Sequence, residues 1–290
     1  KGEYKKIFGN RDDVSVYGTN PKISELLKIN PFSFPKEIHV LEHMDRLVEI
    51  FNVCWPMYAA MPAVLKEAIE KSYEDAGWNL TESTNLNGEN FPSFADVAQN
   101  IKIIIDTSEY DVQNKGAYKG SLLTRLKSLS TGLNGQIFSI KGIEDSKLFD
   151  KNVIIDLSRV GSQETKSLLM GILVLKLQEY RMTQDEMNAE LKHITVLEEA
   201  HNLLKRTSTE QSAESSNLAG KSVEMLTNAI AEMRTYGECF IIADQAPALL
   251  DMAVIRNTNT KIIMRLPDLG DRELVGRAAN LNDEQIAELA

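Results

Sequence analysis

The 290-residue chain has no apolar run near the ~20 residues that a membrane-crossing helix needs, so no membrane segment is expected. Its first residues, Lys1-Gly2-Glu3-Tyr4, lack the apolar stretch of a secretory leader. They also lack an initiator Met, so a fragment or processed form of a longer, cytoplasmic protein is expected. Cysteine is scarce. Cys54 and Cys239 sit in apolar contexts and read as reduced core residues, which excludes a disulfide framework and a cysteine metal site. The four histidines, His39, His43, His193 and His201, do not make ligand spacing. Positive charge is in deficit: the formal net charge of −10 argues against a DNA-coating surface but not against a basic track inside a ring. There is no internal repeat. The absence with most consequence is a phosphate-binding GxxxxGK[ST] loop. Gly220-Lys221-Ser222 ends like one, but Ser215 stands where the first glycine must let the backbone curl, and no apolar strand precedes it. That stretch reads as a loop-to-helix entry.

What is present is an ordinary globular composition, 43% apolar and 26% charged. Short β-branched runs recur at Val14–Tyr17, Asn152–Asp156, Ile194–Leu197, Cys239–Ala243 and Lys261–Arg265. Most are continuous rather than alternating, the pattern of parallel strands buried on both faces. Long helical patterns separate them. Thr165–Tyr180 is apolar on most faces, and Leu218–Tyr236 closes on Gly237, a natural C-cap. Strands alternating with helices predict an α/β fold, a mostly parallel sheet flanked by helices. Residues 39–129 instead carry only helical periodicity, with Pro62 and Ser93 near helix starts and a polar loop over Thr81–Glu89. This predicts an all-helical insertion, 39–129, in a core made of 1–38 and 130–290. Residues 205–217, polar and Ser-rich, predict a mobile loop.

The chemistry concentrates at strand ends. In Ile194-Thr-Val-Leu-Glu198-Glu199-Ala-His201-Asn202 an apolar run stops at two carboxylates and a helix-like segment follows. Adjacent strand residues face opposite ways, but the second of two at a C-terminal end already turns, so both can reach one crevice. Ligands of open α/β sheets bind at that edge. The plainer alternative is a solvated strand end. Gln245, in Asp244-Gln245-Ala-Pro247, follows the next strand and can orient water or sense a phosphate, or it is a turn residue before Pro247. Asp156-Leu-Ser158 ends another strand and reads first as a turn leading to the helix near Ser162. Glu3 would sit at the end of a strand and face the same crevice, or be solvated.

Arg234 closes a helix and Arg265 ends the run KIIMR; either can serve as an arginine finger or as a structural ion-pair partner. His201 flanks the acidic pair and can orient it. Trp55 and Trp78 read as packing aromatics. Lys115, Lys119, Arg125 and Lys127 read as a solvated edge, and Lys205-Arg206 as the better candidate for touching a polymer.

KGEYKKIFG, INPF, NVIIDLS, ITVLEEAHNLL, MRTYG with IIADQAP, and NTKIIMRL together resemble the HerA-type ATPases, in the FtsK–HerA branch of RecA-like P-loop NTPases. The resemblance implies a RecA-like core and a hexameric ring motor, a DNA translocase or helicase that hydrolyses ATP with Mg2+, on duplex DNA and beside a nuclease or other effector. It implies Glu198 as the carboxylate that holds magnesium through water, Glu199 as the residue that activates the attacking water, and Gln245 as the polar sensor. Arg234 matches the arginine presented between subunits, with Arg265 as its substitute. Glu3 and Asp156 fall at the nucleotide edge. The resemblance further implies a phosphate-binding loop and a small β-domain N-terminal to Lys1. The 290 residues alone are then expected to be hydrolytically inert. Two other readings stand beside this one: an assembly or partner-binding module with a vestigial nucleotide site, and a motor of the conjugative-secretion type.

Overall fold

The computed structural model describes residues 3–184, 187–206 and 213–290, the side chains of 213–218 excepted. The chain divides into two compact units, Lys1–Phe51 with Met57–Thr183, and Asn52–Pro56 with Gln184–Ala290. Among the described residues no helix is long and apolar enough to cross a membrane.

The first unit holds a parallel three-stranded sheet in the order β2 (Glu25–Leu26), β1 (Val14–Gly18), β5 (Asn152–Asp156). Val14 pairs with Asn152 and Gly18 with Asp156, so β1 and β5 end at one level. Helix α1 (Glu3–Phe8) precedes β1. Between β2 and β5 run α2 (Val40–Cys54), α3 (Met61–Asp75), a two-residue hairpin of β3 (Trp78–Asn79) and β4 (Thr84–Asn85), α4 (Phe94–Thr107), α5 (Val112–Ser130), α6 (Gly132–Ile137) and α7 (Asp145–Phe149). The stretch Thr81–Glu89, expected as plain loop, thus carries a short ladder, because Trp78 turns inward onto Phe34 and Phe91 and its Nε1–H donates to Asn90 O at 2.7 Å. Helix α3 opens on Pro62, and Ser93 caps α4 in a capping box with Asp96, whose carboxylate accepts the Ser93 N–H at 2.8 Å.

After β5 the chain enters α8 (Gln163–Met182), capped by Ser162. Its all-round apolar pattern is matched by burial: Leu168, Leu169, Ile172, Leu175 and Leu177 are inside, each worth about 1.5–3 kcal/mol of transfer free energy. Three charges on α8 go inside with them and are paired, Arg181 with Asp150 at 2.8 Å. Glu179 meets His43 Nδ1 at 2.9 Å, and Lys176 meets Asp145 at 3.4 Å and donates to Ser33 O at 3.1 Å.

The second unit is built on a parallel pair, β6 (His193–Glu198) and β7 (Glu238–Ala243), in register from His193↔Glu238 to Glu198↔Ala243. Helix α9 (Ala213–Glu232) and a 3₁₀ turn, Met233–Tyr236, join them. Gly237 ends that turn at φ 81°, and a Cβ there would lie 2.3 Å from Glu190 O, so this position takes only glycine. Helices α10 (Met252–Asn257), α11 (Leu269–Ala278) and α12 (Asp283–Ala287) complete the unit.

Four expectations need correction. Lys261–Arg265 is not a strand: no ladder partner exists for it among the described residues, and Ile262 and Met264 stay 87% and 77% exposed. β6 and β7 are not buried on both faces, since Ile194, Val196 and Ile241 are each nearly half exposed. The helix expected from Leu218 begins at Ala213, so Gly220-Lys221-Ser222 lies inside a helix and not at its entry. That also shortens the 205–217 loop: 213–217 are helical, and 207–212 lie outside the described residues.

Candidate functional site

The end of β6 is built for a sharp change of direction. Glu198 is its last residue, paired with Ala243 of β7. Glu199 then takes φ 52° and ψ 49°, the left-handed region, which costs a residue with a Cβ free energy that its surroundings must supply. The surroundings are visible. Asn202 donates to Glu199 O from both its backbone N–H, at 2.9 Å, and its side-chain Nδ2, at 2.6 Å. The His201 N–H donates to Asp244 Oδ2 at 2.9 Å, and His201 Nδ1 lies 2.8 Å from the same oxygen. The turn that carries the second carboxylate is therefore held from both sides.

Asp244 follows β7 directly and its side chain is 3% exposed. Its other oxygen accepts the Ala246 N–H at 3.0 Å, and Asp271 of α11 accepts the Ala248 N–H at 2.7 Å. These bonds brace the turn that presents Gln245 to solvent. The neighbouring segment is anchored as well: Arg206 N–H donates to Leu249 O at 2.8 Å, which keeps the exposed Lys205 and Arg206 beside this loop. Glu198, Glu199 and Gln245 thus share the C-terminal edge of one parallel pair, the side where α/β sheets bind ligands. Asp244 and Asn202 were missed by sequence reasoning. The available signal was a carboxylate directly before Gln245 and an amide three residues after Glu199, a spacing that closes on its own turn.

The other predicted residues lie elsewhere. Arg234 is exposed in the 3₁₀ turn that precedes β7, at the opposite end of a six-residue strand that spans roughly 17 Å. Arg265 is exposed in the irregular segment that replaces the expected strand. Glu3 is not at a strand end as expected but opens the helix α1 and is exposed, and Asp156 ends β5; both belong to the first unit. Asp156 accepts the Ser158 N–H at 3.0 Å, a closed turn leading toward α8. Burial raises its pKa, but the hydrogen bonds from Ser158 and the Lys5 charge outweigh this and hold it below the usual carboxylate value.

The donor set decides which cofactor fits. Among the described residues no three His, Cys, Asp or Glu side chains cluster as a metal cage. A lone carboxylate such as Glu198 suits magnesium that arrives with phosphates and keeps several waters, not a metal held by protein alone.

The parallel strands and flanking helices define an α/β protein of RecA-like architecture. The particular likeness is to the structure of VirB4 of Thermoanaerobacter pseudethanolicus, with a TM-score of 0.66 and 15% identity, over 98% of this chain and 78% of that one. At that identity the likeness is one of fold. No known family profile and no curated protein sequence matches the chain.

Proposed function

We propose that the chain is the C-terminal portion of an ATP-hydrolysing ring motor, a DNA translocase or helicase of the HerA type. The observation that carries this reading is the left-handed Glu199 at the end of β6, beside the braced Asp244–Gln245 turn at the end of β7. Glu198 would hold the magnesium that comes with ATP, and the ion would spread the charge on the phosphates. Glu199 accepts a hydrogen bond from the attacking water and takes its proton as the water oxygen bonds in line to the γ-phosphorus and the bond from that phosphorus to the β–γ bridging oxygen breaks, releasing ADP and inorganic phosphate. The Gln245 amide fixes the orientation of that water. The phosphate cradle comes, by the resemblance to HerA-type proteins, from sequence N-terminal to Lys1. Arg234, at the far end of β7, serves a neighbouring subunit, with Arg265 as its substitute, and this requires a homo-oligomer, a hexamer by the same resemblance. The likeness to VirB4 favours a second reading within the same chemistry, a motor of the conjugative-secretion type. Duplex DNA and a nuclease or other effector are the proposed partners, and the cytoplasm the proposed location.

The test is ATP turnover by the 290-residue chain and by a form extended at the N-terminus to include a GxxxxGK[ST] segment. The short form is expected to be inert. The extended form is expected to hydrolyse ATP and to lose roughly 10²–10⁴-fold on Glu199→Gln. Robust, Glu199-dependent turnover by the short form would overturn the division of the site. An extended form that neither binds nor hydrolyses ATP would favour a partner-binding module with a vestigial site.

A further inference from the structure

We propose that His201 is a further group on the attacking water, which it orients through the lone pair of its ring nitrogen Nε2. This deepens the nucleotide reading above and rests on it. His201 stands two residues after Glu199, and Asp244 stands directly before Gln245. The His201 N–H donates to Asp244 Oδ2 at 2.9 Å, and His201 Nδ1 lies 2.8 Å from Oδ2 and 3.1 Å from Oδ1. The ring therefore links the turn that carries Glu199 to the turn that carries Gln245. All of these residues belong to the second unit.

The bonds around Asp244 fix which ring nitrogen carries the proton. Oδ2 already accepts the His201 N–H, and Oδ1 already accepts the Ala246 N–H at 3.0 Å. A backbone N–H can only donate, so the carboxylate meets the ring as an acceptor and Nδ1 is the donor. Free neutral imidazole favours the proton on Nε2. Here a nearly buried carboxylate draws it to Nδ1, the arrangement that turns the other nitrogen into a fixed acceptor. Nε2 is then a lone pair on the far side of the ring from Asp244. It has no hydrogen-bond partner among the described residues, and it is open to solvent, on a side chain 29% exposed. The brace uses only the Nδ1 side of the ring, so the fold leaves this acceptor unspent.

A water oxygen has four tetrahedral directions. In-line attack commits one lone pair to phosphorus, and Glu199 takes one hydrogen. The Gln245 amide N–H donates to the second lone pair, which leaves the second hydrogen in need of an acceptor. Donation of that hydrogen to Nε2 completes the set and stops the water from rotating. The hydrogen stays on the oxygen throughout and leaves with the phosphate, so His201 takes no proton in the step.

The first measurement is the tautomer. In the 290-residue chain carrying 15N-labelled histidine, long-range 1H–15N spectra at about pH 9, where imidazole is neutral, are expected to show the His201 proton on Nδ1. His193, whose Nδ1 lies 2.8 Å from Glu238 at the other end of β6, is the internal reference. Asp244→Ala is expected to return His201, but not His193, toward the form protonated on Nε2. The second measurement is ATP turnover by the form extended at the N-terminus. In His201→Asn the side-chain amide still donates to Asp244, but nothing replaces Nε2. That variant is expected to keep the unfolding temperature of wild type and to lose about ten- to a hundredfold in kcat, with KM for ATP little changed. His201→Gln, whose amide oxygen reaches toward the Nε2 position, is expected to recover part of kcat. A wild-type His201 protonated on Nε2, or full kcat in His201→Asn, overturns the proposal and leaves His201 as a brace alone. An extended form that is inert although Nδ1 carries the proton overturns the nucleotide reading, and the role of His201 falls with it, so the two failures are told apart.

Discussion

Glu199 is an ordinary side chain in a backbone conformation that glycine or asparagine would take at less cost. It stays there because Asn202 and Asp244 bind the peptide groups around it, and Asp244 is the more exposed to test. Its carboxylate serves the His201 N–H, the His201 ring and the Ala246 N–H at once, in a nearly buried place. Asp244→Ala is expected to cost about 1–3 kcal/mol, the penalty of leaving such groups unsatisfied, and to speed amide hydrogen exchange at His201 and Ala246. Asp244→Asn keeps one acceptor oxygen and should recover part of both. Denaturant unfolding and exchange rates measure this, and an alanine variant with unchanged stability and exchange would refute the brace. The acidic pair and Gln245 were legible in the sequence because a strand that stops at a carboxylate is a local pattern. The brace was not, because Asp244 and His201 lie 43 positions apart and meet only through the register of β6 with β7.

Whole elements were read best where the apolar run also finds a parallel neighbour. β5 occupies the expected Asn152–Asp156, and β1, β6 and β7 each extend the expected run by a residue or two. Lys261–Arg265 has the same composition and no ladder, because β propensity describes a fit to a pleated surface and not a strand in isolation. α8 was legible because burial on every side leaves an all-round apolar pattern. Its C-terminal turn carries a testable charge effect. Tyr180 donates its hydroxyl to Asp150 across to the end of α7, and Arg181 pairs with the same carboxylate at 2.8 Å. Burial first, then the bond to Asp150 and its charge, push the Tyr180 pKa up to about 12. The folded chain thus holds this proton more tightly than the unfolded chain, whose tyrosines titrate near 10. The stabilisation is complete below about pH 10 and is lost as pH rises through about 12. Tyr180→Phe should lower the denaturation midpoint at pH 8 and flatten its decline between pH 10 and 12. Parallel declines in the two proteins would show that Tyr180 carries no such linkage.

At the scale of the whole molecule two features pull against each other. The formal charge of −10 keeps copies apart, while part of the second unit's sheet is left apolar and uncovered. The register places Val196 beside Ile241 on one face, with Ile194 two residues back on the same side, and these are 46%, 49% and 47% exposed. Contiguous exposed β-branched side chains of this kind drive association or dye binding when nothing covers them. Salt separates this cause from an ionic one. Raising ionic strength from about 0.05 M to about 0.5 M shortens the screening length to a few ångströms and weakens the repulsion between like-charged copies. Contacts made through Arg234 or Arg265 would weaken as well, whereas apolar contacts would not. Association through the β6–β7 face is therefore expected to grow with salt. Replacing Val196 and Ile241 with Thr keeps the β-branched shape and removes half the apolar character. The double variant should sediment as a smaller species at high salt and bind less anilinonaphthalene sulfonate, with its far-ultraviolet circular dichroism unchanged. Association that falls as salt rises would assign the contact to the arginines instead, and so would association that ignores the double substitution.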